Sequence, residues 1–468
     1  MTYDALVCGA GTAGCIAAYF AAKKGLKVCL IDSKPKHSVG TKICGDAVGK
    51  DIFSFLQIAP PSTSIILRNI EGGNLYSPSG TKIPLKDPKQ AGYILDRLRF
   101  GQWLLDFALK NTSITFMDST TIISTIIKNN AVVGVLCRDK KAKKDLELYA
   151  PIVIDSTGYT TPLRRMIQAP ENEPNFDQTN DNIICYREIC EISDSAFSHG
   201  ENSHLIGIYL DPEKSPGGYI WYFPRTENSV NIGIGIYPHL KNSVKPFFDR
   251  YVNQRFLGRY SNIKVISTGG GIVSVRRPIF SSVNDGILFA GDAGLHVNPI
   301  HGGGIDSSMR AGYYAALTAL ESHEQGKFDK KALWPYNLRL NKAFGKSFTS
   351  LHVIRMALQR FGAQALDFGI RNNFLSAKEI LYITATGDLP LDPLSGLQKL
   401  SIGLFQPKFL LDFAYIYSQM GKVARHYDKY PESPELINRW MKITTGIFER
   451  IKGMLNSEET KRKDAKIS

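Results

Sequence analysis

Apolar and glycine positions fall in blocks at the start of the chain, and the block lengths predict the elements. Tyr3-Asp4-Ala5-Leu6-Val7-Cys8 is an apolar run of strand length that breaks at Gly9-Ala10-Gly11-Thr12-Ala13-Gly14. Ala13 to Lys24 predicts an alanine-rich helix stopped by Gly25, and Lys27 to Ile31 a second strand ending in the carboxylate of Asp32. Ala5 to Ala22 is nearly uncharged, with the hydropathy of a membrane span or signal peptide. Three glycines early in it, no basic residue before it and the strand–helix pattern favour folded, soluble structure.

Ile65 to Gly80 predicts strand and turn, with Tyr76-Ser77-Pro78-Ser79-Gly80 as the breaker. Tyr93-Ile94-Leu95-Asp96-Arg97 leads into a helix whose apolar positions Leu98, Trp103, Leu104, Phe107 and Ala108 recur at helical spacing. Ser113 to Lys128 and Ala131 to Arg138 are strand-like runs joined at Asn129-Asn130, a hairpin turn pair. Ile152-Val153-Ile154-Asp155 predicts a buried strand ending at Ser156-Thr157-Gly158. Pro170 to Asn180 is polar and holds proline, the composition of a crossing into a second domain. From about 183 to 275 the pattern alternates as antiparallel strands, including Leu205 to Leu210, Tyr219 to Pro224 and Val230 to Ile236. Ile287-Leu288-Phe289-Ala290 returns to a fully buried strand, so the first domain is discontinuous. Beyond about 326 the pattern is helical and basic, with turns at Gly387 to Pro393 and Tyr430-Pro431.

At 468 residues the chain can hold two or three domains around a large core. The seven cysteines (Cys8, Cys15, Cys29, Cys44, Cys137, Cys185, Cys190) are odd in number and form no C-x-x-C pair, which fits a reducing cytosol and offers no zinc site. No metal-ligand spacing stands out elsewhere. Net charge is +14. Nucleic acid is excluded as its partner by the absence of a basic helix, zinc finger or RNP-type aromatic motif. The charge is dispersed, with small clusters at Lys140 to Lys144 and Lys461 to Lys463, and suits an anionic membrane surface or a phosphorylated substrate. A merely soluble basic protein is the plain alternative.

G-x-G-x-x-G between strand and helix is the dinucleotide fingerprint in the context that gives it meaning. Gly9 allows the tight turn, Gly11 lets the backbone approach a pyrophosphate, and Gly14 lets helix and strand pack closely. The helix N-terminus supplies free N–H groups and partial positive charge, and Asp32 would accept from an adenosine ribose. A second signal is Gly286-Ile287-Leu288-Phe289-Ala290-Gly291-Asp292-Ala293, then Asn298-Pro299-Ile300-His301-Gly302-Gly303-Gly304 and a helix from Ile305 to Leu320. A nicotinamide enzyme has no need of this second site. A flavin wants a distant carboxylate, Asp292, for its ribityl hydroxyls, and a helix N-terminus at the N1/C2 edge of its ring. The bland reading makes Gly302 to Gly304 a turn only.

With these motifs in place the chain resembles the flavoproteins of the geranylgeranyl reductase family, and its archaeal ether-lipid branch most closely, within the larger fold group of aromatic hydroxylases. The resemblance spans Tyr3 to about Leu320, and more faintly beyond. Its marks are Lys42-Ile43-Cys44-Gly45-Asp46, Ser215-Pro216-Gly217-Gly218-Tyr219-Ile220-Trp221-Tyr222-Phe223-Pro224 and Asn298-Pro299-Ile300-His301-Gly302-Gly303-Gly304, the middle one matching the family's P-x-x-Y-x-W-x-F-P pattern in full. It implies a Rossmann-type α/β FAD-binding domain (1–72, 98–178, 264–326), an antiparallel β-sheet substrate domain (73–97, 179–263) and a helical C-terminal region (327–468). It also implies FAD, contacted by Ala13, Asp32, Cys44, Gly45, Arg97, Thr121 (through its backbone), Asp292, Gly303, Gly304 and Ile305, besides the glycines of the first motif.

On a strand, Tyr219, Trp221 and Phe223 share one face, while Ile220 and Tyr222 share the other. With Gly218 they are candidates to line a prenyl pocket, and sandwich core is the alternative. A lipid chain leaves a membrane to enter such a pocket, so discrimination falls to an anionic head group. Arg276-Arg277 is a candidate pair for the pocket mouth, or a structural one. Saturating an isolated alkene needs a proton besides the hydride. Cys44, Asp46, Tyr219, His296 and His301 are candidate donors, each with a structural alternative. Phe409 to Tyr427, with Lys422 and Arg425 close behind, reads as a helix packed on the flavin domain or lying on a bilayer.

The expectation is an FAD-dependent reductase that saturates geranylgeranyl chains of membrane ether-lipid precursors, in the cytoplasm or peripherally at the inner membrane face. The substrate is a geranylgeranyl lipid or diphosphate, and the electrons come from NADPH or ferredoxin. Rival readings are a flavin monooxygenase, a lycopene-cyclase-like isomerase using reduced flavin, and a non-catalytic isoprenoid carrier.

Overall fold

The computed structural model describes residues 2–87, 91–110, 113–173, 181–200, 203–258, 260–388, 390, 399–401 and 406–464, with side chains as far as 454. Its first layer is a six-stranded sheet in the order Val283–Asn284, Ile287–Phe289, Ile152–Asp155, Ala5–Cys8, Val28–Ile31, Thr115–Met117, parallel except at the first pair. Ala5–Cys8, Val28–Ile31 and Ile152–Asp155 are buried throughout, as a parallel sheet covered on both faces must be. Helices Thr12–Lys23 and Ile305–Gln325 cover one face. They approach so closely that a Cβ on Gly312 would lie 2.2 Å from the Ala13 carbonyl oxygen. The other face carries the three-stranded sheet Thr120–Lys128, Ala131–Asp139, Lys144–Tyr149. Asn129 and Asn130, with φ of 50° and 64°, make the type I′ turn expected at its hairpin. The expected single run Ser113 to Lys128 is instead two strands in two sheets, because the chain reverses at Ser119, where φ is 53°.

The second layer is a seven-stranded sheet in the order Ile263–Ser274, Asn182–Ile192, Ser229–Ile236, Ile220–Thr226, Leu205–Tyr209, Gly72–Tyr76, Lys82–Lys86. Its pairs are antiparallel except Leu205–Tyr209 with Gly72–Tyr76. The two-residue period divides its faces as the alternation predicts. Ile220, Ile232, Ile234 and Ile236 pack on the helical segment Phe248–Leu257, while Trp221 and Phe223 pack with Cys185, Ile206 and Ile208 on the opposite side. A small sheet, Ala47–Gly49, Gly92–Leu95, Ile66–Ile70, lies against that second face. Ile263–Ser274 stays paired with Asn182–Ile192 well past residue 264, so we propose Ser274 rather than 264 as the return to the first unit. Residues 174–180 of the expected crossing lie outside the described residues.

The helices Lys346–Leu358, Ala363–Arg371, Ala377–Thr386, Pro407–Tyr427 and Ile437–Asp464 follow. Gly387, at φ 73°, ends Ala377–Thr386, and most of the expected turn beyond it lies outside the described residues. Pro407–Tyr427 buries Ile416, Met420 and Val423 in the main core, the packed reading of that segment. At the turn before the last helix, Tyr430 Oη donates to Phe280 O at 2.6 Å and Pro431 O accepts from Trp334 Nε1 at 2.8 Å. No helix among the described residues is long and apolar enough to cross a membrane, and Ala5 to Ala22 is strand, turn and helix.

Arg276 and Arg277 do not reach a pocket mouth. Both are buried, and both donate to Glu173, at 2.7 Å and at 2.8 Å, which corrects the pocket-mouth reading and agrees with the structural one. Burial alone would raise the Glu173 carboxyl, but the two guanidiniums hold it below its ordinary 4.5. A carboxyl with a lowered folded value gives stability that is full above its unfolded pKa and is lost as pH falls through the folded one. Glu173→Gln is therefore expected to lower the urea midpoint near neutral pH and to flatten its fall on the acid side. A variant whose midpoint keeps the wild-type acid slope would contradict the pairing.

Candidate active site

One cavity of about 1640 Å³ runs between the two large sheets and under the C-terminal helices. Pockets for drug-sized ligands are about 300–1,000 Å³, so this one has room for a dinucleotide and a chain beside it. Every residue expected to bind FAD or to line the prenyl pocket, except Gly14, lines it.

At one end the turn Gly9–Gly14 leads into the helix Thr12–Lys23. Gly9 has φ of 107°, and a Cβ there would lie 2.4 Å from Ser156 O. A Cβ on Gly14 would lie 1.8 Å from Gly9 O, so Gly14 lets helix and turn pack and does not reach the cavity. Gly11 differs: nothing lies within 4 Å of its Cβ position, and it faces the cavity at the helix N-terminus. Arg97 is buried beside it and gives Nη2 to Thr12 Oγ1 at 3.1 Å, leaving Nε and Nη1 without a partner among the described residues. Unsatisfied donors at an open helix N-terminus fit a pyrophosphate. Asp32 is fixed at the crevice edge by Ala10 N and Lys34 N, at 2.7 and 2.8 Å. Ala13 and Thr121 complete this wall, and Thr121 Oγ1 is buried without a partner among the described residues.

Further in, the turn after Ile287–Phe289 presents Asp292 to the cavity, where Lys42 Nζ lies 2.6 Å from its carboxylate. Burial pushes the Asp292 carboxyl up, but Lys42 outweighs it and holds the group below its ordinary value. Gly303 and Gly304 follow at the start of Ile305–Gln325. Gly302, at φ 66°, donates to Asn298 O at 2.9 Å and Asn298 N donates to Gly303 O at 3.0 Å, so the glycine loop is a hydrogen-bonded cradle. A flavin ring edge could meet that helix N-terminus, with Asp292 beside its ribityl chain.

The middle of the cavity is built by the loop Lys42–Asp46 against the strand Ile220–Thr226. Phe223 lies against Gly45, where a Cβ would approach its ring to 2.6 Å. Trp221 Nε1 donates to Asn231 Oδ1 at 3.0 Å, and Asn231 Nδ2 donates to Cys44 O at 2.8 Å and Asp46 Oδ2 at 2.9 Å. Arg225 Nη1 meets the same Asp46 oxygen at 2.7 Å. Gly218 crosses Gly235 O with only 2.1 Å for a Cβ, which brings Tyr219 to the wall, its hydroxyl donating to His301 O at 2.6 Å. The third stretch is apolar and comes from Ile206, Ile208, Leu351, Phe374, Phe409 and Phe413.

Four of the five expected proton-donor candidates share this wall: Cys44, Asp46, Tyr219 and His301. His296 does not. It is wholly buried, bonded to Ser282 Oγ at 3.0 Å, and burial drives its pKa down to about 3. Burial lowers His301 to about 4, so at neutral pH its ring is the uncharged imidazole, with Nδ1 accepting from Gly303 N at 3.1 Å. Sequence reasoning missed Asn231, Arg225, Gly233 and Arg355. Asn231 had a signal, as a lone amide amid the apolar run Val230–Ile236. Gly233 had a fainter one: a Cβ there would strike the Trp221 ring at 2.2 Å.

Two glycine variants separate the cofactor cradle from its scaffold. Gly11→Val adds bulk only to the cavity, so it is expected to fold with near wild-type melting and to lose its flavin absorbance. Gly14→Ala overpacks the turn at a cost of about 1–3 kcal/mol, seen as a lower melting point. A Gly11→Val protein that keeps full flavin would contradict the cradle.

Comparison with known proteins agrees with this geometry. An FAD-dependent oxidoreductase family matches residues 4–161, and the geranylgeranyl reductase catalytic domain matches residues 181–273. The digeranylgeranylglycerophospholipid reductase of Sulfolobus acidocaldarius is 31% identical over 94% of this chain and 96% of its own length. The protein of the same description from Methanoculleus marisnigri is 31% identical over 72% of this chain and 81% of its own. Among solved structures, a geranylgeranyl bacteriochlorophyll reductase-like protein from Thermoplasma acidophilum superposes with a TM-score of 0.73 at 25% identity, over 89% of this chain and 99% of its own. A flavin-dependent brominase, at 17% identity and a TM-score of 0.63, shares the fold alone, covering 87% of this chain and 100% of its own. The cofactor is FAD, and the chain belongs to the geranylgeranyl reductase family of FAD-dependent oxidoreductases.

Proposed function

We propose that this enzyme saturates the isoprenoid double bonds of a digeranylgeranyl glycerophospholipid or a close precursor of it. The carrying observation is continuity: the glycine cradle, the Cys44 loop and the aromatic strand open on one cavity that runs on, apolar, beneath the C-terminal helices. In this reading Gly9, Gly11, Ala13, Asp32, Arg97 and Thr121 hold adenosine and pyrophosphate. Asp292, Gly303, Gly304 and Ile305 hold the ribityl chain and one edge of the ring, and Cys44 with Gly45 lines the other. Gly218, Tyr219, Trp221 and Phe223 line the chain where it reacts. Burying a methylene is worth about 0.8 kcal/mol relative to water. A chain leaving a bilayer gains little of that, so the apolar lobe positions the substrate more than it selects it. The outer face of Pro407–Tyr427, with Leu411 exposed on the same stripe as Lys422 and Arg425, suits contact with an anionic bilayer.

Reduced FAD, when bound, supplies the hydride. The proton added with it we assign to Cys44 Sγ. Burial, and then the Asp46 charge, push the Cys44 thiol up, so it holds its proton at neutral pH. Asp46 itself is wholly buried, burial pushes its carboxyl up, and its Oδ2 is taken by both Arg225 and Asn231. Burial pushes the Tyr219 hydroxyl well above its ordinary range, and its proton already serves His301 O.

Chemically reduced, FAD-loaded protein incubated anaerobically with digeranylgeranyl glycerophospholipid is expected to yield product two mass units heavier per double bond, with the flavin reoxidised. Unchanged mass with the flavin still reduced overturns the reading. Cys44→Ser is expected to retain flavin and to slow flavin reoxidation by about 10²-fold or more, the range of general-acid contributions. An undiminished rate removes Cys44 as the donor.

A further inference from the structure

If the apolar lobe selects weakly, a charged side chain must read the substrate's anionic end. The basic residues lining the cavity, among those described, are Lys34, Lys42, Arg97, Arg310 and Arg355. Lys42 is held by Asp292 at 2.6 Å, and Arg310 by Asp51 and Asp306 at 2.5 and 2.8 Å. Lys34 Nζ donates to Thr41 O at 2.5 Å near the crevice edge, and Arg97 stands over the pyrophosphate cradle.

Arg355 has a different setting. It is 6% exposed, on the helix Lys346–Leu358 that walls the substrate half. No carboxylate of the described residues lies within ion-pairing distance of it. Nη2 donates to Gly217 O at 2.5 Å, and the Gln359 amide oxygen, turned toward the guanidinium, accepts from Nε at 3.2 Å and Nη2 at 3.0 Å. Nη1 makes no hydrogen bond to the described residues. Its ionisable neighbours are Tyr237, Tyr219 and Cys185, the last two with pKa values that burial pushes up, and then Asp181, which already faces Arg276 and His352. Burial lowers the guanidinium only to about 10, so it remains a cation. A buried cation without counter-charge is costly to a fold, and an anion that arrives with the substrate removes that cost.

We propose that Arg355 binds the phosphate or diphosphate end of the isoprenoid substrate beside the Gly217-Gly218-Tyr219 turn. The inference rests on the reductase reading and adds to it the residue that recognises the charged end. A planar guanidinium matches paired phosphate oxygens, which an ammonium cannot do as well. Anchoring there also fixes how far along the chain the reacting double bonds lie.

The test compares wild-type, Arg355→Gln and Arg355→Lys holoenzymes of equal flavin content on geranylgeranyl diphosphate, digeranylgeranyl glycerophospholipid and the neutral alcohol geranylgeraniol. Arg355→Gln is expected to raise KM for the anionic substrates at least tenfold and to leave kcat/KM for the alcohol within twofold. Arg355→Lys should recover part of the loss. A KM rise for the diphosphate only assigns the site to free diphosphate, and one for the phospholipid only to the lipid head group; either supports the proposal. Inorganic pyrophosphate should bind wild type, by calorimetry, and not Arg355→Gln. That binding difference without turnover of any isoprenoid would keep the anion site and defeat the reductase reading. An equal slowing of alcohol and anionic substrates, or pyrophosphate binding unchanged in Arg355→Gln, would overturn the proposal and leave Arg355 as a support for the Gly217 turn.

Discussion

A carboxylate shut away from water has to find its counter-charge inside the protein, and Asp46 finds it across the boundary between two sheets. Its loop issues from the first layer and holds Asp46 at φ 67°; Arg225 and Asn231, at 2.7 and 2.9 Å, come from the second. Asn231 also bonds the Trp221 indole and the Cys44 carbonyl. Losing one partner of such a buried pair costs about 3–5 kcal/mol, where an exposed pair is worth about 0–1. The loop and the aromatic strand are therefore one rigid unit. Cys44, two residues before Asp46 and accepting its N–H at 3.3 Å, is held on the cavity wall by the same network.

From that unit the cavity grades in polarity in both directions. Toward the first sheet lie helix N-termini, unsatisfied donors on Arg97 and the Asp292 carboxylate, all suited to phosphate and ribityl groups. Toward the C-terminal helices the wall turns to phenylalanine, leucine and isoleucine, with Arg355 as an isolated cation. A molecule with an anionic end and a long apolar chain matches that second half, and a hydride-carrying dinucleotide matches the first.

The glycine turn and the carboxylate after the second strand were legible in the sequence because short-range physics sets them. Gly9, Gly11 and Gly14 do their work within one turn, and Asp32 follows one helix and one strand later, so their spacing carries their geometry. The aromatic strand was legible as a face, since a period of two puts Tyr219, Trp221 and Phe223 together wherever the strand packs. The network behind it was not: Arg225 reaches Asp46 across 179 positions, and Arg355 reaches Gly217 across 138. Arg276 and Arg277 stayed undecided between pocket mouth and structure for the same reason. A charged pair at a strand end is exposed by default, and only Glu173, arriving from 103 positions earlier, allows its burial. Single polar residues in buried strands, such as Asn231, are the one local trace such networks leave.

The most direct measurement is a crystal structure of the FAD-loaded enzyme with a saturated diphytanyl glycerophospholipid, which can bind but not react. If the Asp46-pinned loop sets the site, a chain should run from the aromatic strand into the lobe beneath Pro407–Tyr427, with a chain carbon within about 4 Å of Cys44 Sγ. A chain seated outside the cavity, or separated from Cys44 by the flavin ring, would contradict it.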